Sequence, residues 1–276
     1  MSSNREKSSG PRQEGKTDVV LLGASNLTIV LPHLVWSLRT NAPGRLTLWI
    51  ADGHGRSYGV WSRVLFRALP GIVRCRLWDE LAEARSRADP HRPSRLLALV
   101  TDIGNDLLYG SAPETIAEWV ETCLTRLQTH DARIVLTRLP LCSARRLSAW
   151  RYNLTKACFF PTSRIGFREM IRRAEQLDAL VEQLGASCGA AVVEPKQEWY
   201  GFDPIHVRRS RRAEAWSDIL SHWRDERSRF VFVRASVLPS LRIWSLPPAE
   251  RRLLGRLQRR KQPVRSFKGG LCVRRY

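Results

Sequence analysis

The sequence predicts an α/β fold in which helices cover both faces of a parallel sheet. Short, continuous apolar runs recur along the chain, as expected of strands that are buried on both faces. Amphipathic segments with helical periodicity separate these runs. With 276 residues, 43% of them hydrophobic, the chain can bury a large core, so wholesale disorder is excluded.

The strands follow from the apolar runs, and the helices from the segments between them. Pro32 fits the first turn of a helix, where its missing N–H costs nothing, and Pro113 opens a strongly amphipathic segment. The predicted strands are 18–22, 46–50, 96–100, 134–136 and 190–193. The predicted helices lie at about 31–39, 58–68, the segment after residue 113, 162–184 and 209–223.

The two ends of the chain differ from this alternating pattern. Residues 1–16 are polar, and we expect a disordered leader. We expect residues 17–224 to form the α/β domain. Residues 225–276 hold 14 basic and 3 acidic residues, and we expect a basic extension outside the alternating sheet. Within it, 230–233 is a candidate strand and 248–261 a candidate basic helix with Leu253, Leu254 and Leu257 on one side.

Composition limits the class and the compartment. The run 19–38 contains no charged residue, but its polar residues and Pro32 favour a buried strand, turn and helix over a membrane span. The six cysteines are widely spaced without a CxxC pair, so we expect no zinc ribbon and no disulfide framework. Reduced thiols predict a cytoplasmic protein. The net charge of +20 is spread along the chain, which favours general arginine preference over a dedicated nucleic-acid motif.

Three strand ends carry polar residues suited to catalysis. Ser25 follows the first strand on a sharp turn into a helix, and Asn105 follows the third strand. Asp203 and His206 follow the last strand, three residues apart. A serine hydroxyl needs a base to remove its proton, and the base needs a carboxylate to orient it. Because ligands bind at the carboxyl ends of parallel strands, we expect these residues to lie close together.

The order of these motifs resembles the SGNH (GDSL-type) hydrolase family over residues 17–224. The four matching blocks are Gly23-Ala24-Ser25, a glycine after the second strand (Gly55, with Gly53 as the rival), Ile103-Gly104-Asn105-Asp106, and Asp203-Pro204-Ile205-His206. Ala24 stands where the family usually has Asp, and Val207 where it often has Pro. The resemblance implies a three-layer α/β/α sandwich, flavodoxin-like, with a five-stranded parallel sheet in the order 2-1-3-4-5.

The resemblance also implies a serine-dependent ester hydrolase of the acyl or carbohydrate esterase type. By this resemblance, Ser25 would be the nucleophile, His206 would be the base, and Asp203 would be the carboxylate that orients the base. Ser25, Gly55 and Asn105 would form the oxyanion hole, and no metal or organic cofactor is required. The expected substrate is a small-molecule or carbohydrate ester.

Two alternatives remain at this stage. One is an acyltransferase on the same fold. The other is a binding module in which the basic residues 225–276 contact nucleic acid or an anionic membrane. The simpler interpretation of that basic segment is that Leu253, Leu254 and Leu257 dock on the α/β core and the basic residues face water. Among the other polar residues, we expect His54 to be a solvated loop residue, His33 to be partly buried and Asp106 to hold its own loop.

Overall fold

A parallel sheet forms the centre of the molecule. The computed structural model describes residues 15–42, 44–89, 94–146, 148, 152, 165–224 and 230–276. The described strands are β1 (Lys16–Leu22), β2 (Arg45–Ala51), β3 (Ser62–Val64), β4 (Arg67–Leu69), β5 (Arg95–Val100), β6 (Arg133–Thr137), β7 (Ala191–Val193), β8 (Glu250–Leu253), β9 (Arg256–Arg259), β10 (Arg265–Phe267) and β11 (Leu271–Arg275).

The described helices are α1 (Ser25–Asn41), α2 (Leu77–Ser86), α3 (Asn105–Leu108), α4 (Pro113–Gln128), α5 (Leu141–Ala144), α6 (Phe167–Ser187), α7 (Arg212–Ser221) and α8 (Val237–Trp244). Among them, none combines the length and the apolar composition that crossing a bilayer requires. The run 19–38 is a strand, a turn and a helix, as predicted.

The five predicted strands are confirmed, and so is their order. Strands β2, β1, β5, β6 and β7 lie side by side in parallel, which is the order 2-1-3-4-5 for the predicted five. Alternate residues of β1 show why the buried part of each strand is apolar on both faces. Val20 and Leu22 pack against the layer of α2, α4 and α6, whereas Val19 and Leu21 pack against the layer of α1, α7 and α8. Helices therefore cover both faces, and the fold is a three-layer α/β/α sandwich.

The C-terminal segment corrects the expectation that residues 225–276 lie outside the sheet. Strand β11 pairs in parallel with β2, and β10 pairs antiparallel with β11, so the sheet has seven strands. Leu271 and Val273 of β11 are buried in the core. Residues 230–233 are not a strand. Of the predicted leader, residues 1–14 lie outside the described residues, and Lys16 already begins β1.

Two predicted helices are instead hairpins of a second sheet. Residues 58–68 form β3 and the start of β4, and residues 248–261 form β8 and β9. The four strands pair antiparallel in the order β3-β4-β8-β9. The spacing of apolar residues in both segments resembles that of a helix, but pairing between segments that lie far apart in sequence overrides it. Leu254 and Leu257 are exposed, so they do not dock on the core.

Helix α1 is longer than predicted and contains Pro32 in its interior, not in its first turn. A proline inside a helix leaves the carbonyl four residues before it without its N–H donor. Here that carbonyl belongs to Thr28, and the indole N–H of Trp244 donates to it at 2.9 Å. The end of α8 thus satisfies the group that Pro32 leaves open, close to the start of α1.

Candidate active site

Ser25 occupies the turn between β1 and α1. It is the first residue of α1, and Gly23 precedes it in a position that admits no side chain, because an added Cβ would lie 2.7 Å from a methyl group of Thr101. The main-chain N–H at the start of a helix has no partner within the helix. Because the turn directly follows the last residue of β1, it places the Ser25 hydroxyl at the carboxyl edge of the sheet.

Asp203 and His206 meet Ser25 from the loop that follows β7. The Nε2 atom of His206 lies 2.7 Å from the Ser25 Oγ, and its Nδ1 atom lies 2.6 Å from Asp203 Oδ2. The other carboxylate oxygen of Asp203 accepts hydrogen bonds from the main-chain N–H groups of Ile205 and His206. The structure thus brings the three predicted residues into one hydrogen-bonded chain; their catalytic roles remain a prediction.

The electrostatics of this chain favour a basic imidazole. Burial disfavours charge on His206, but the hydrogen bond and negative charge of Asp203 outweigh it and raise the pKa of His206 above its ordinary value. Conversely, burial works against ionisation of Asp203, yet its bonds to His206 lower the pKa of the carboxyl group. The pair is therefore a carboxylate that stabilises an imidazolium.

Asp102 and Asn26 connect the serine turn to the histidine loop, a role that no sequence motif indicated for either residue. Asp102 Oδ2 accepts the N–H groups of Ala24 and Leu27, at 2.9 and 3.1 Å, while its Oδ1 accepts the Asn26 side-chain amide at 2.9 Å. The carboxylate thereby caps the start of α1, at a turn where residue 24 itself offers only a methyl group.

The Asn26 side chain extends this connection to the loop of His206. Its amide nitrogen also donates to the carbonyl of Ile205 at 2.8 Å, and its oxygen accepts the N–H of Val207 at 2.9 Å. These two residues flank His206 in the chain. One side chain therefore sets the distance between the hydroxyl and the imidazole.

The predicted oxyanion donors lie on the loops after β2 and β5. Gly55 has φ +62°, a conformation that favours glycine, and its carbonyl accepts the hydroxyl of Tyr109 at 2.7 Å. The Asn105 amide donates to the Arg56 carbonyl across a long 3.4 Å contact. Both Gly55 and Asn105 line the same cavity as Ser25, whereas the rival Gly53 is buried against Leu69.

Buried arginines hold the loop after β2 in place. Arg275 of β11 binds Asp52 through two bonds, of 2.7 and 2.8 Å, and both side chains are almost fully buried. Burial would raise the pKa of Asp52, but Arg275 outweighs it and holds that pKa below its ordinary value. The buried Arg56 guanidinium donates to the carbonyls of Asp52 and Pro70, at 3.1 Å each, and to a main-chain oxygen of Tyr276. The C-terminal segment therefore braces the loop that carries Gly55.

A cavity of about 940 Å³ opens beside Ser25 and His206. Most of its wall is apolar and comes from several elements; representative lining residues are Leu107, Leu139, Met170, Ile171, Trp199 and Tyr200. Tyr200 has its pKa raised by burial, so its hydroxyl stays neutral.

Asp106 departs from the expectation that it holds its own loop, whereas His33 and His54 lie as expected. Asp106 is fully buried and accepts hydrogen bonds from the Ser57 hydroxyl and the Tyr58 N–H of the loop after β2, and burial raises its pKa to about 6. His33 is half-buried and accepts the N–H of Ala235. His54 is exposed at the rim of the cavity. Within the described residues, no group of three or more His, Cys, Asp or Glu is placed to bind a metal ion.

Comparison with known proteins finds similarity at the level of structure. No protein-family model and no curated protein matches the sequence. Among solved structures, the psychrotrophic esterase EstA from Pseudoalteromonas sp. is 15% identical with a TM-score of 0.45, covering 75% of this chain and 98% of the esterase.

A carbohydrate acetylesterase family member from Sinorhizobium meliloti is 12% identical, with a TM-score of 0.43, over 70% of this chain and 90% of its own. AlinE4, an SGNH-hydrolase family esterase, is 16% identical with a TM-score of 0.37, over 75% and 92% of the two chains. Because these identities and TM-scores are low, the functional proposal rests on the geometry of this chain alone.

Proposed function

We propose that this chain is a serine-dependent ester hydrolase of the SGNH type. The supporting observation is the hydrogen-bonded chain from Ser25 through His206 to Asp203, at the wall of a large apolar cavity. A serine, an imidazole base and an orienting carboxylate in contact are the groups that acyl transfer requires.

In this mechanism the Ser25 Oγ attacks the ester carbonyl while His206 Nε2 takes its proton. The C–O bond to the alcohol then breaks, and His206 returns the proton to the leaving alcohol. Water then attacks the acyl-enzyme while His206 takes its proton; the bond between the acyl carbon and Ser25 Oγ breaks, His206 returns the proton to Oγ, and the acid is released. Asp203 keeps Nδ1–H directed and stabilises the imidazolium in both halves.

The oxyanion of each tetrahedral intermediate would be held by the N–H groups of Ser25 and Gly55 and the amide of Asn105. Losing one such donor typically costs about 10²–10³-fold in kcat. No metal or organic cofactor takes part in these steps.

The test is Ser25→Ala. Hydrolysis of a short-chain aryl ester should disappear, whereas the melting temperature should stay within about 2 °C of wild type, because one partly buried hydroxyl is lost. A fluorophosphonate probe should label residue 25 of the wild type and leave the variant unlabelled. Wild-type turnover by the variant would exclude the proposal.

The cavity supports a substrate with a sizeable apolar acyl or alcohol part over a small carbohydrate acetate. Each buried methylene is worth about 0.8 kcal/mol, so kcat/KM should rise about fourfold per added methylene until the cavity is filled. A panel of aryl esters of increasing chain length measures this, and a preference for acetyl esters would contradict it.

Transfer of the acyl group to another alcohol uses the same first half-reaction. Product analysis with added alcohols or sugars therefore separates a hydrolase from an acyltransferase.

The cytoplasmic location stays a prediction, which rested on the cysteines being reduced. The five cysteines in the described part of the chain are free: Cys75, Cys123, Cys142, Cys188 and Cys272. Cys158 lies outside the described residues.

A further inference from the structure

Two hairpins of the smaller sheet end side by side in apolar residues. A two-residue turn, Leu65–Phe66, joins β3 to β4, and the turn Leu254–Gly255 joins β8 to β9. The N–H of Leu254 donates to the carbonyl of Phe66 at 2.9 Å, so both turns lie at the same end of the sheet. We call Leu65, Phe66 and Leu254 the paired tips.

Neither turn geometry nor packing accounts for the residues at the paired tips. Leu65 has φ 52° and Leu254 has φ 50°, in the left-handed region where such turns favour Gly, Asn or Asp. The exposed fractions of Leu65, Phe66 and Leu254 are 84%, 71% and 71%. Large apolar residues in an unfavourable backbone conformation, without burial inside the chain, indicate a partner outside it.

The surroundings of the paired tips indicate the chemistry of that partner. Leu65 and Phe66 also line the mouth of the cavity that contains Ser25, as does Phe202, which is 79% exposed. The strands behind the tips carry one acidic residue, Glu250, which pairs with Arg259, and six arginines: Arg63, Arg67, Arg251, Arg252, Arg256 and Arg259. Apolar tips at the end of a sheet that carries six arginines match a surface with an apolar interior and an anionic boundary.

We propose that the paired tips insert into an anionic lipid surface and hold the cavity mouth against it. Two of the three tip residues, Leu65 and Leu254, are aliphatic, which favours insertion into lipid over nucleic-acid binding, since the latter uses aromatic stacking platforms along a basic groove. The sequence alone suggests membrane contact through the basic residues 225–276; in the structure, residues 248–261 of that segment form a hairpin, which acts together with β3 and β4.

The test measures binding of the full chain to vesicles of ether-linked phosphatidylcholine with about 30% ether-linked phosphatidylglycerol. These lipids contain no carboxylic ester bond, so binding is independent of the proposed acyl-ester hydrolysis, and Ser25→Ala should bind as well as wild type. The double variant Leu65→Asn/Leu254→Asn should keep its fold, because asparagine accepts the left-handed conformation. Its vesicle affinity should fall at least about tenfold.

Matched controls separate insertion of the paired tips from nonspecific adsorption of exposed apolar residues to the vesicles. Leu238 on α8 is 70% exposed and does not line the cavity, so Leu238→Asn should change the affinity less than about twofold. Arg252→Gln/Arg256→Gln should weaken binding to anionic vesicles by about fivefold per charge, and leaving out the phosphatidylglycerol should weaken binding by wild type.

Several results would overturn the proposal. They are no vesicle binding by the wild type, wild-type affinity in a folded Leu65→Asn/Leu254→Asn variant, or an equal loss with Leu238→Asn. Binding to duplex DNA that the double variant retains, without any vesicle binding, would instead assign the arginines to nucleic acid.

Discussion

Replacing Asp102 with asparagine tests whether one carboxylate positions both Ser25 and His206. Asp102 caps α1 through Ala24 and Leu27, and holds Asn26, whose side chain bridges to the loop of His206. Its φ of +59° is one that asparagine tolerates, so the substitution introduces little backbone strain. The change isolates charge and hydrogen bonding.

The expected size of the effect follows from the three hydrogen bonds. An asparagine oxygen can serve either the two N–H groups of α1 or the amide of Asn26, because its –NH₂ group cannot accept. At least one charge-assisted bond is lost, at about 1.5–3 kcal/mol, in the free energy of unfolding. A displacement of the serine by about 1 Å costs about 10²-fold in rate, and we expect kcat to fall by that much while KM changes little.

The pH profile separates positioning from simple destabilisation. The charge of Asp102 contributes to the raised pKa of His206, so the acid limb of kcat/KM should move to lower pH in Asp102→Asn. Asp178→Asn is the control, because Asp178 is also buried and accepts the N–H of Leu139 at 2.9 Å. It should lose stability and keep the acid limb. A folded Asp102→Asn enzyme with wild-type kcat and pH profile would refute the reasoning.

Three further predictions concern the same site and its support. His206 must be neutral to act as a base, and Asp203 raises its pKa, so activity should rise with pH through a limb that lies above the ordinary histidine pKa. Asp203→Asn should shift that limb to lower pH and lower kcat about 10⁴-fold, and an unmoved limb would contradict this. Asp52→Asn leaves Arg275 buried without its countercharge and should lower the free energy of unfolding by about 3–5 kcal/mol in urea titration; a loss below about 1 kcal/mol would argue against the brace. A chain ending at residue 226 lacks β11 and should show no cooperative thermal transition, whereas a sharp melt near that of the full chain would disprove the structural role of the C-terminal segment.

The sequence was sufficient where local pattern and global fold agree. Each of the five parallel strands contains a continuous run of buried or half-buried residues that is mainly apolar, because both faces are covered, and the polar residues beyond their ends identified Ser25, Asp203 and His206. The topology then brings residues 25 and 206 together across 181 positions. Nothing in the local sequence near either residue encodes that distance.

The errors arose where distant contacts decide the structure. Leu253, Leu254 and Leu257 have helical spacing, but the φ of +80° at Gly255 and the pairing of β8 with β4 form a hairpin. The role of Asp102 was equally hidden, since it depends on contacts 75 to 78 residues away and on a left-handed backbone. A carboxylate that caps a helix from the loop after another strand leaves no motif in the local sequence.

The position of β11 has a consequence for synthesis of the protein. Strand β2 is synthesised long before β11, its outer neighbour in the sheet. Until β11 emerges from the ribosome, one side of β2 presents unpaired main-chain groups beside the apolar side chains of Leu46, Leu48 and Ile50. This open, aggregation-prone edge therefore persists while the residues between β2 and β11 are made, and the sheet closes on that side only when β11 is available.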